Sequence, residues 1–241
     1  MKRTIERYTI DSNFMNEERS IYVSLPPGYN ELLSYPTLYL QDGVDFLTMG
    51  RIVTQANERM GNAELDPFII VGVNVERKHR TSEYHPRGDR HESYIRFFAE
   101  ELLPFIESNY PVRKDIDNRV LAGDSLGGTV SLYIALKYRT LFKKILSLSG
   151  AFGPETIDDL IDREDLKQVD IYMLIGLDET KVETGRGSFD FLKWNRDLKT
   201  LLTEKGTTLH YVEKEGEHTW GFWQKELPDC LSYFFGSSYH L

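Results

Sequence analysis

The alternation of apolar and polar segments along the chain predicts short buried strands separated by helices. Near-continuous apolar runs are typical of strands that a parallel sheet buries on both faces. Residues 67–75 form such a run, and we assign further strands to residues 35–40, 120–122, 144–150, 171–176 and 208–212. Helical patterns predict helices at 44–60, 92–110, 154–165, 188–205 and 221–235, and another that ends near residue 138. This order predicts an α/β protein with a mostly parallel central sheet and helices on both faces.

Two segments depart from that strand–helix order. Residues 3–12 and 19–25 read as strands joined by a short polar connection, which predicts an N-terminal antiparallel hairpin. Residues 76–91 form a long irregular stretch, which we expect to be a loop. Long loops of compact domains are usually functional or disordered, so this stretch is a candidate for part of a site.

The central candidate for chemistry is Ser125, within residues 123–128, which read Gly-Asp-Ser-Leu-Gly-Gly. A strand precedes this Gly-x-Ser-x-Gly pattern and a helical pattern follows it, as a nucleophile elbow requires. Glycines two residues to either side of the serine avoid collisions in so tight a turn, and the helix N-terminus below it favours developing negative charge. An incidental glycine-rich turn is the alternative, but the matching flanks favour a nucleophile.

A serine nucleophile needs an acid and a base, which follow it in the order serine, acid, histidine in α/β-hydrolases. Asp178 and Glu179 come just after the strand that ends at Gly176. We favour Glu179, three residues beyond that glycine, as the acid, with Asp178 as the alternative. If neither residue is catalytic, this segment is simply a solvent-exposed acidic loop. His218, in the loop after the last strand, is the predicted base, because His210 falls inside an alternating strand.

The oxyanion formed by attack on a carbonyl needs two backbone amide donors. Leu126 supplies one, since it directly follows the nucleophile. The turn after the third strand, at residues 41–44, supplies the other from the amide of Val44 or of Gly43. Gly43 would let the backbone approach the substrate, although an ordinary Asp-Gly turn is the simpler interpretation of that turn alone.

Composition and charge limit the classes of partner. A chain of 241 residues with 40% hydrophobic content can form a substantial core, and we expect a single domain over 1–241. A net charge of −9 argues against nucleic acid or an anionic membrane surface as a partner. The sequence shows no secretory signal and no membrane-length apolar run, and Cys230 alone cannot form an intrachain disulfide. We therefore expect a cytoplasmic protein.

Several motifs together resemble those of the esterase family of α/β-hydrolases, over nearly the whole chain. They are Leu-Pro-Pro-Gly-Tyr at 25–29, Leu-Tyr-Leu-Gln-Asp-Gly at 38–43, Arg-Thr-Ser-Glu-Tyr-His-Pro at 80–86, the serine motif at 123–128, and Gly-Glu-His-Thr-Trp at 216–220 with Trp223. The family includes enterobactin-type siderophore esterases, feruloyl esterases, S-formylglutathione hydrolases and mycolyltransferases. The resemblance implies an α/β-hydrolase fold and a serine esterase. This chain departs from the family pattern at the acid, because many members have a single Asp where this chain has Glu179 beside Asp178. Some siderophore esterases of the family are closer to a Ser–His dyad.

The resemblance also implies where the substrate binds, since it puts the basic stretch at 76–91 near the mouth of the active site. The candidate substrate contacts are Asp42, Arg80, Arg87, Trp220 and Trp223. Positive charge in an acidic protein would attract an anionic or catecholate ester, unless acids in the same stretch pair with the arginines. We predict no cofactor and no metal site, because the six-residue steps between His79, His85 and His91 match no familiar ligand spacing.

The leading hypothesis is a serine carboxylesterase that acts on a small-molecule ester. Ser125 would attack the carbonyl, His218 would carry the proton, and water would hydrolyse the acyl-enzyme. A siderophore ester is a narrower version of this hypothesis. Acyl transfer to an alcohol acceptor would use the same residues, and a non-catalytic binding protein on a hydrolase scaffold is the alternative without chemistry. The sequence leaves the acyl group, the alcohol group and the oligomeric state open.

Overall fold

A central sheet of eight strands organises the structure, a computed structural model that describes residues 4–237. Its strands are β1 (Thr4–Ser12), β2 (Glu17–Leu25), β3 (Thr37–Leu40), β4 (Ile69–Val73), β5 (Arg119–Asp124), β6 (Lys144–Leu148), β7 (Asp170–Gly176) and β10 (Thr208–Lys214). Two short strands, β8 (Val182–Thr184) and β9 (Gly187–Phe189), pair with each other outside that sheet.

Helices fill the connections between the strands. They are α1 (Gly43–Thr48), α2 (Ile52–Gly61), α3 (Arg77–Tyr84), α4 (His91–Arg96), α5 (Leu103–Asn109), α6 (Leu126–Lys137), α7 (Pro154–Leu160), α8 (Phe191–Glu204) and α9 (Trp220–Phe235). A π-helical segment at Phe97–Leu102 joins α4 to α5. Within residues 4–237, no helix has both the length and the apolar character needed to cross a membrane.

The strand order in the sheet is β1-β2-β4-β3-β5-β6-β7-β10. β1 pairs antiparallel with β2, from Thr4 opposite Leu25 to Ser12 opposite Glu17, and β2 pairs antiparallel with β4. The other neighbouring strands of this sheet run parallel. The mostly parallel sheet and the N-terminal antiparallel hairpin are therefore confirmed; residue 3, where we expected the first strand to begin, lies outside the described residues.

Successive residues of the central strands enter different cores, because side chains alternate across a sheet. Tyr39 and Leu121 lie in one core, which includes residues of α4, α5 and α6. Their chain neighbours Leu38 and Ala122 lie in the other core, with residues of α2 and α9. All four side chains are fully buried. Burial on both sides explains the near-continuous apolar runs, and the prediction of helices on both faces is confirmed.

The single helix predicted at 44–60 is wrong, because the chain breaks near Gly50 into α1 and α2. Arg51 has a left-handed backbone with φ of 50°, which a continuous right-handed helix does not allow. A Cβ on Gly50 would lie 2.7 Å from the Phe46 carbonyl oxygen and 2.8 Å from the Trp220 ring. The break lets α9 approach this turn. Helical periodicity in the sequence does not predict such a tertiary contact.

The irregular loop predicted at 76–91 is also wrong, because α3 lies within it. The helix is mostly polar, so no apolar stripe marks it in the sequence. Ion pairs with other elements hold it in place: the fully buried Glu83 lies 2.5 Å from Arg19 Nη2 and 3.1 Å from Arg90 Nε. Arg19 on β2 therefore helps to hold α3 in place, although the sequence of α3 does not predict a helix.

Gly43, the first residue of α1, packs directly on the backbone of Gly72 in β4. A Cβ added to Gly43 would lie 2.5 Å from both the Cα and the carbonyl carbon of Gly72. We expect Gly43→Ala to lower the Tm by several degrees, since overpacking of this kind costs about 1–3 kcal/mol. Gly185→Ala is the matched control, because a Cβ there meets nothing within 4 Å. Thermal unfolding followed by circular dichroism measures both, and equal Tm values would contradict the packing argument.

Candidate active site

Ser125 occupies a strained turn between β5 and α6. Its backbone has φ of 52° and ψ of −122°, which residues other than glycine rarely adopt. Two hydrogen bonds secure the turn: Ser125 N–H donates to the Leu148 carbonyl at 2.9 Å, and the Ser125 carbonyl accepts from Ala151 N–H at 3.0 Å. A Cβ on Gly123 would lie 2.2 Å from the Gly127 carbonyl carbon, so contact within the turn requires glycine there. Ser125 therefore stands at the carboxyl end of β5, where it lines a cavity.

His218 and Glu179 meet beside that edge of the sheet, on the loops that follow β10 and β7. His218 Nδ1 lies 2.6 Å from Glu179 Oε2, so a ring with its proton on Nδ1 donates to this carboxylate and keeps Nε2 as an acceptor. The other oxygen, Oε1, accepts from Ser149 Oγ at 2.5 Å and from Gly176 N–H at 2.9 Å. Glu179 is fully buried and the His218 side chain is 17% exposed, so the acid is fixed inside the protein while the base reaches the surface.

Ser149 and two aromatic rings hold this pair in place, and our sequence interpretation missed the serine. Trp223 Nε1 donates to Ser149 Oγ at 2.8 Å, which links a buried tryptophan to the Glu179 carboxylate. The Trp223 ring lies edge to face against the His218 ring at 4.9 Å between centroids, and Phe191 contacts the same imidazole at 4.5 Å. Trp223 therefore braces the histidine and does not line the cavity, where we had expected it to contact the substrate.

The alternatives for acid and base, Asp178 and His210, have other surroundings. Asp178 is exposed, and it is its backbone N–H that bonds to the Gly216 carbonyl, at 3.1 Å. His210 stacks on Tyr172 with ring centroids 4.7 Å apart. The structure thus brings together Glu179 and His218, the favoured acid and base. The alternatives Asp178 and His210 do not take part in this pair.

The candidate oxyanion donors lie at the N-termini of two neighbouring helices. Leu126 is the first residue of α6, and Gly43 and Val44 are the first two of α1. The first amides of a helix have no carbonyl partner within it, so they are available to a ligand oxygen. The two turns touch, since a Cβ on Gly127 would lie 3.2 Å from Gln41 Cβ. Packing on β4 gives a second reason for glycine at position 43, beside the approach to substrate that the sequence suggests.

Arg80 and Asp42, both predicted to contact substrate, bind each other. Arg80 Nε and Nη2 lie 2.9 Å and 2.8 Å from Asp42 Oδ2, and Nε lies 3.0 Å from Oδ1. Arg87 is paired as well, with the two Asp159 carboxylate oxygens at 2.8 Å and 2.6 Å, and it does not line the cavity beside Ser125. The two arginines that suggested an anionic substrate therefore have carboxylate partners, and these partners come from outside the 76–91 stretch.

Asp124, which precedes the nucleophile, is a buried carboxyl close to a second one. Its Oδ2 lies 3.6 Å from Arg80 Nη2, and its carbonyl accepts from the same nitrogen at 3.2 Å. Burial and then the charge of Asp42 raise the pKa of Asp124 to about 7, although Arg80 opposes the shift. Asp124 occupies a variable position of the Gly-x-Ser-x-Gly pattern, so no sequence signal marked it.

A cavity of about 470 Å³ opens beside Ser125. One wall is aromatic: Trp194 has its ring centroid 5.0 Å from that of Phe189 and 5.1 Å from that of Phe191. Phe189 belongs to β9, and Arg186, in the turn between β8 and β9, also lines the cavity. We did not predict this hairpin, and the helix expected from residue 188 begins only at α8. The residues predicted from the sequence to form the site therefore do not include this aromatic wall.

The remaining candidates have partners of their own. Trp220 packs edge to face on a phenylalanine of α1 at 4.9 Å between ring centroids, away from the cavity lining. His85 Nε2 lies 2.9 Å from Glu155 Oε1, and His91 Nδ1 lies 3.0 Å from the Glu83 carbonyl oxygen. In the part of the chain that the structure describes, no group of three or more His, Cys, Asp and Glu side chains could hold a metal ion.

Comparison with known proteins identifies the family. The model of the family described as "Putative esterase" matches residues 12–234. The chain belongs to this esterase family. Membership makes this esterase a carboxylic ester hydrolase, in agreement with its acid and histidine at the carboxyl edge of the sheet.

Its relatives agree with that assignment. YjcH of Bacillus subtilis (strain 168), described as uncharacterized, is 38% identical over 230 residues, which cover 95% of this chain and 96% of YjcH. The acetyl esterase of Caldicellulosiruptor saccharolyticus is 28% identical over 231 residues, which cover 82% of each protein. Among solved structures, a ferulic acid esterase matches with a TM-score of 0.83 at 20% identity, covering 98% of this chain and 99% of the other. The predicted α/β-hydrolase fold is confirmed.

Glu179→Gln should lower the kcat of this esterase by about 10³–10⁴-fold, because an amide neither selects the required histidine tautomer nor stabilises the imidazolium. Asp178→Asn is the matched control, since the Asp178 side chain is exposed. The kcat of this control variant should stay near the wild-type value. Steady-state hydrolysis of a p-nitrophenyl ester measures both variants, with circular dichroism as the check on folding. Equal and mild losses would mean that His218 is not oriented by Glu179.

Asp124 should make the stability of the fold depend on pH. Its pKa lies at about 7 in the folded protein, above its ordinary value of 3.8. Between these pH values the native state binds a proton that the unfolded chain has lost, so this group makes the fold less stable as the pH rises. Asp124→Asn removes that ionisation, and its Tm relative to wild type should be higher at about pH 8 than at about pH 5. Thermal unfolding tests this with Asp178→Asn as the exposed control, and a Tm difference independent of pH would contradict it.

Proposed function

We propose that this chain is a serine carboxylesterase that uses Ser125, His218 and Glu179 and forms an acyl-enzyme. The observation that carries the proposal is the 2.6 Å bond from His218 Nδ1 to a fully buried carboxylate, in loops beside the Ser125 elbow. Phe191 supports the proximity of His218 to Ser125, because its ring contacts His218 and lines the same cavity as Ser125.

In the first half-reaction, Ser125 Oγ attacks the ester carbonyl while His218 Nε2 takes the hydroxyl proton. The Glu179 carboxylate stabilises the resulting imidazolium. The negative charge on the carbonyl oxygen is met by the amides of Leu126 and of Gly43 or Val44, at the positive ends of two helices. His218 then protonates the departing alcohol, and the acyl group stays on the serine.

In the second half-reaction, water attacks the acyl-enzyme. His218 again acts as the base and accepts a proton from the water, and the oxyanion forms at the same pair of amides. Collapse of the intermediate releases the carboxylic acid, and Ser125 regains its proton from the imidazolium.

The cavity beside Ser125 supports a substrate with a group larger than acetyl. Its volume of about 470 Å³ and its wall of three aromatic rings suit a flat or branched apolar group. A siderophore ester is a narrower version of the proposal, but Arg80 and Arg87 lend it little support, because each is paired with an aspartate. We therefore expect an aromatic or other apolar ester to be the better substrate.

Ser125→Ala should lower ester hydrolysis by several orders of magnitude, about 10⁴-fold or more, and should abolish labelling by a fluorophosphonate probe. Ser108→Ala is the control, because that hydroxyl is exposed and bonds to the Pro104 carbonyl of its own helix. Hydrolysis and labelling retained in a folded Ser125→Ala variant would overturn the serine mechanism.

The same assay distinguishes between substrates. It should include p-nitrophenyl esters of increasing acyl chain length, a p-nitrophenyl ester of an aromatic acid and a catecholate trilactone, with the products identified by mass spectrometry. Release of free acid from the ester of the aromatic acid at a higher kcat/KM than from p-nitrophenyl acetate would support the proposal. A preference for the acetate would argue against the aromatic wall as a substrate site, and transfer of the acyl group to an added alcohol in place of water would indicate an acyltransferase.

A further inference from the structure

Asp42, the residue before the α1 amides, has a left-handed backbone with φ of 51° and ψ of 44°. This conformation is unfavourable for a residue other than glycine, so surrounding contacts must hold it. Two residues of α3 do so. Tyr84 Oη accepts from Asp42 N–H at 3.0 Å, and Arg80 makes three contacts of 3.0 Å or less to the Asp42 carboxylate.

The same guanidinium reaches the elbow. Arg80 Nη2 donates to the Asp124 carbonyl at 3.2 Å and lies 3.6 Å from the Asp124 carboxylate. That carbonyl belongs to the peptide group just before Ser125, whose φ is 52°. One guanidinium therefore contacts both strained turns that precede the candidate oxyanion amides.

Arg80 projects from a helix that is itself fixed. The next turn of α3 carries Glu83, which is fully buried between Arg19 and Arg90. The Arg80 guanidinium also lies over the Tyr84 ring, 5.3 Å from its centroid, and the side chain is only 25% exposed. Its guanidinium contacts both aspartates, and the side chain also lines the cavity beside Ser125.

We propose that Arg80 is a positioning residue of this esterase: its guanidinium fixes the turn at Asp42 against the strand end at Asp124. By doing so it sets the spacing between the α1 amides and the amide of Leu126. The inference rests on the proposed function, because it concerns the amides assigned there to the oxyanion. Arg80 acts through its two aspartates and needs no contact with the substrate. A planar guanidinium suits this task, since it can bind a carboxylate with two prongs and a carbonyl at the same time.

Kinetics of Arg80 variants test the inference. Arg80→Lys keeps the positive charge between the two carboxylates, which favours folding, but it loses the planar fork; Arg80→Gln loses both. We expect each to lower kcat for a neutral p-nitrophenyl ester by about 10²-fold with KM changed by less than about threefold, because misplaced amides lose contacts made in the transition state.

Arg196 provides a matched control for both substitutions. Its Nε and Nη2 make a similar two-pronged pair with Glu213, at 2.8 Å and 2.7 Å, on an exposed face of α8. Arg196→Lys and Arg196→Gln should therefore keep the wild-type kcat and KM. A loss in these controls equal to that in the Arg80 variants would overturn the inference, since the effect would then belong to any broken surface pair.

A double-mutant cycle with Asp42→Asn separates positioning from direct contact with the substrate. If Arg80 acts through Asp42, the double variant should be no slower than the slower single variant, within about threefold. Independent, multiplying losses would overturn the inference, because Arg80 would then act on the reaction without Asp42. A rise in KM confined to anionic esters, or a wild-type kcat in the folded Arg80→Lys variant, would overturn it as well.

Ser125→Ala, measured in the same assay, keeps this inference apart from the proposed function. Wild-type hydrolysis that does not depend on Ser125 would remove the proposed function itself. Hydrolysis that depends on Ser125 but not on Arg80 would leave the serine mechanism standing and remove only the positioning role.

Discussion

The candidate site depends on the backbone turn at Ser125, where β5 must end and α6 must begin within one residue. The turn holds φ at 52°, and Gly123 approaches Gly127 so closely that a Cβ would lie 2.2 Å from its carbonyl carbon. Because parallel strands end at the same edge of a sheet, the loops after β7 and β10 deliver Glu179 and His218 to the same edge as the serine. Strand direction thus gathers groups that are distant in sequence.

The features that could be predicted from the sequence have local causes. Burial on both faces produces apolar runs, and the close backbone contacts of the elbow require its glycines. The acid and base could be sought after particular strands because the sheet is parallel. Position after Gly176 favoured Glu179 over the adjacent Asp178 but left both open. In the structure, the Ser149 hydroxyl and the Gly176 amide bond to the Glu179 carboxylate.

The features that could not be predicted depend on partners distant in sequence. Arg80 binds an aspartate 38 residues away, and the arginines that hold Glu83 come from β2 and from beyond α3. A sequence displays the charges of such residues but not their pairing, so a helix held by buried ion pairs resembled a loose basic loop. Pairing also changes the interpretation of the charge: Arg87 is bound to Asp159 away from the cavity, and Arg80, which lines the cavity, is bound to Asp42. Each charge thus has a carboxylate partner within the protein, which weakens the argument for an anionic substrate.

In the proposed mechanism, the reaction and the choice of substrate depend on parts of this esterase with different constraints. The Glu179 carboxylate is fully buried and accepts from three donors, so few substitutions around it are tolerated. Phe189 and Arg186, which line the cavity, belong to the short hairpin at 182–189, most of which is exposed. The three donors to the Glu179 carboxylate lie outside that hairpin, so we expect a change in the hairpin to alter the cavity and leave the acid in place. Esterases that share this fold can therefore differ in substrate. Family membership therefore identifies the reaction and not the acyl group. The determinants of substrate choice in this chain are to be sought in the cavity lining, to which the hairpin at 182–189 and also Arg80 and Thr81 of the 76–91 stretch contribute.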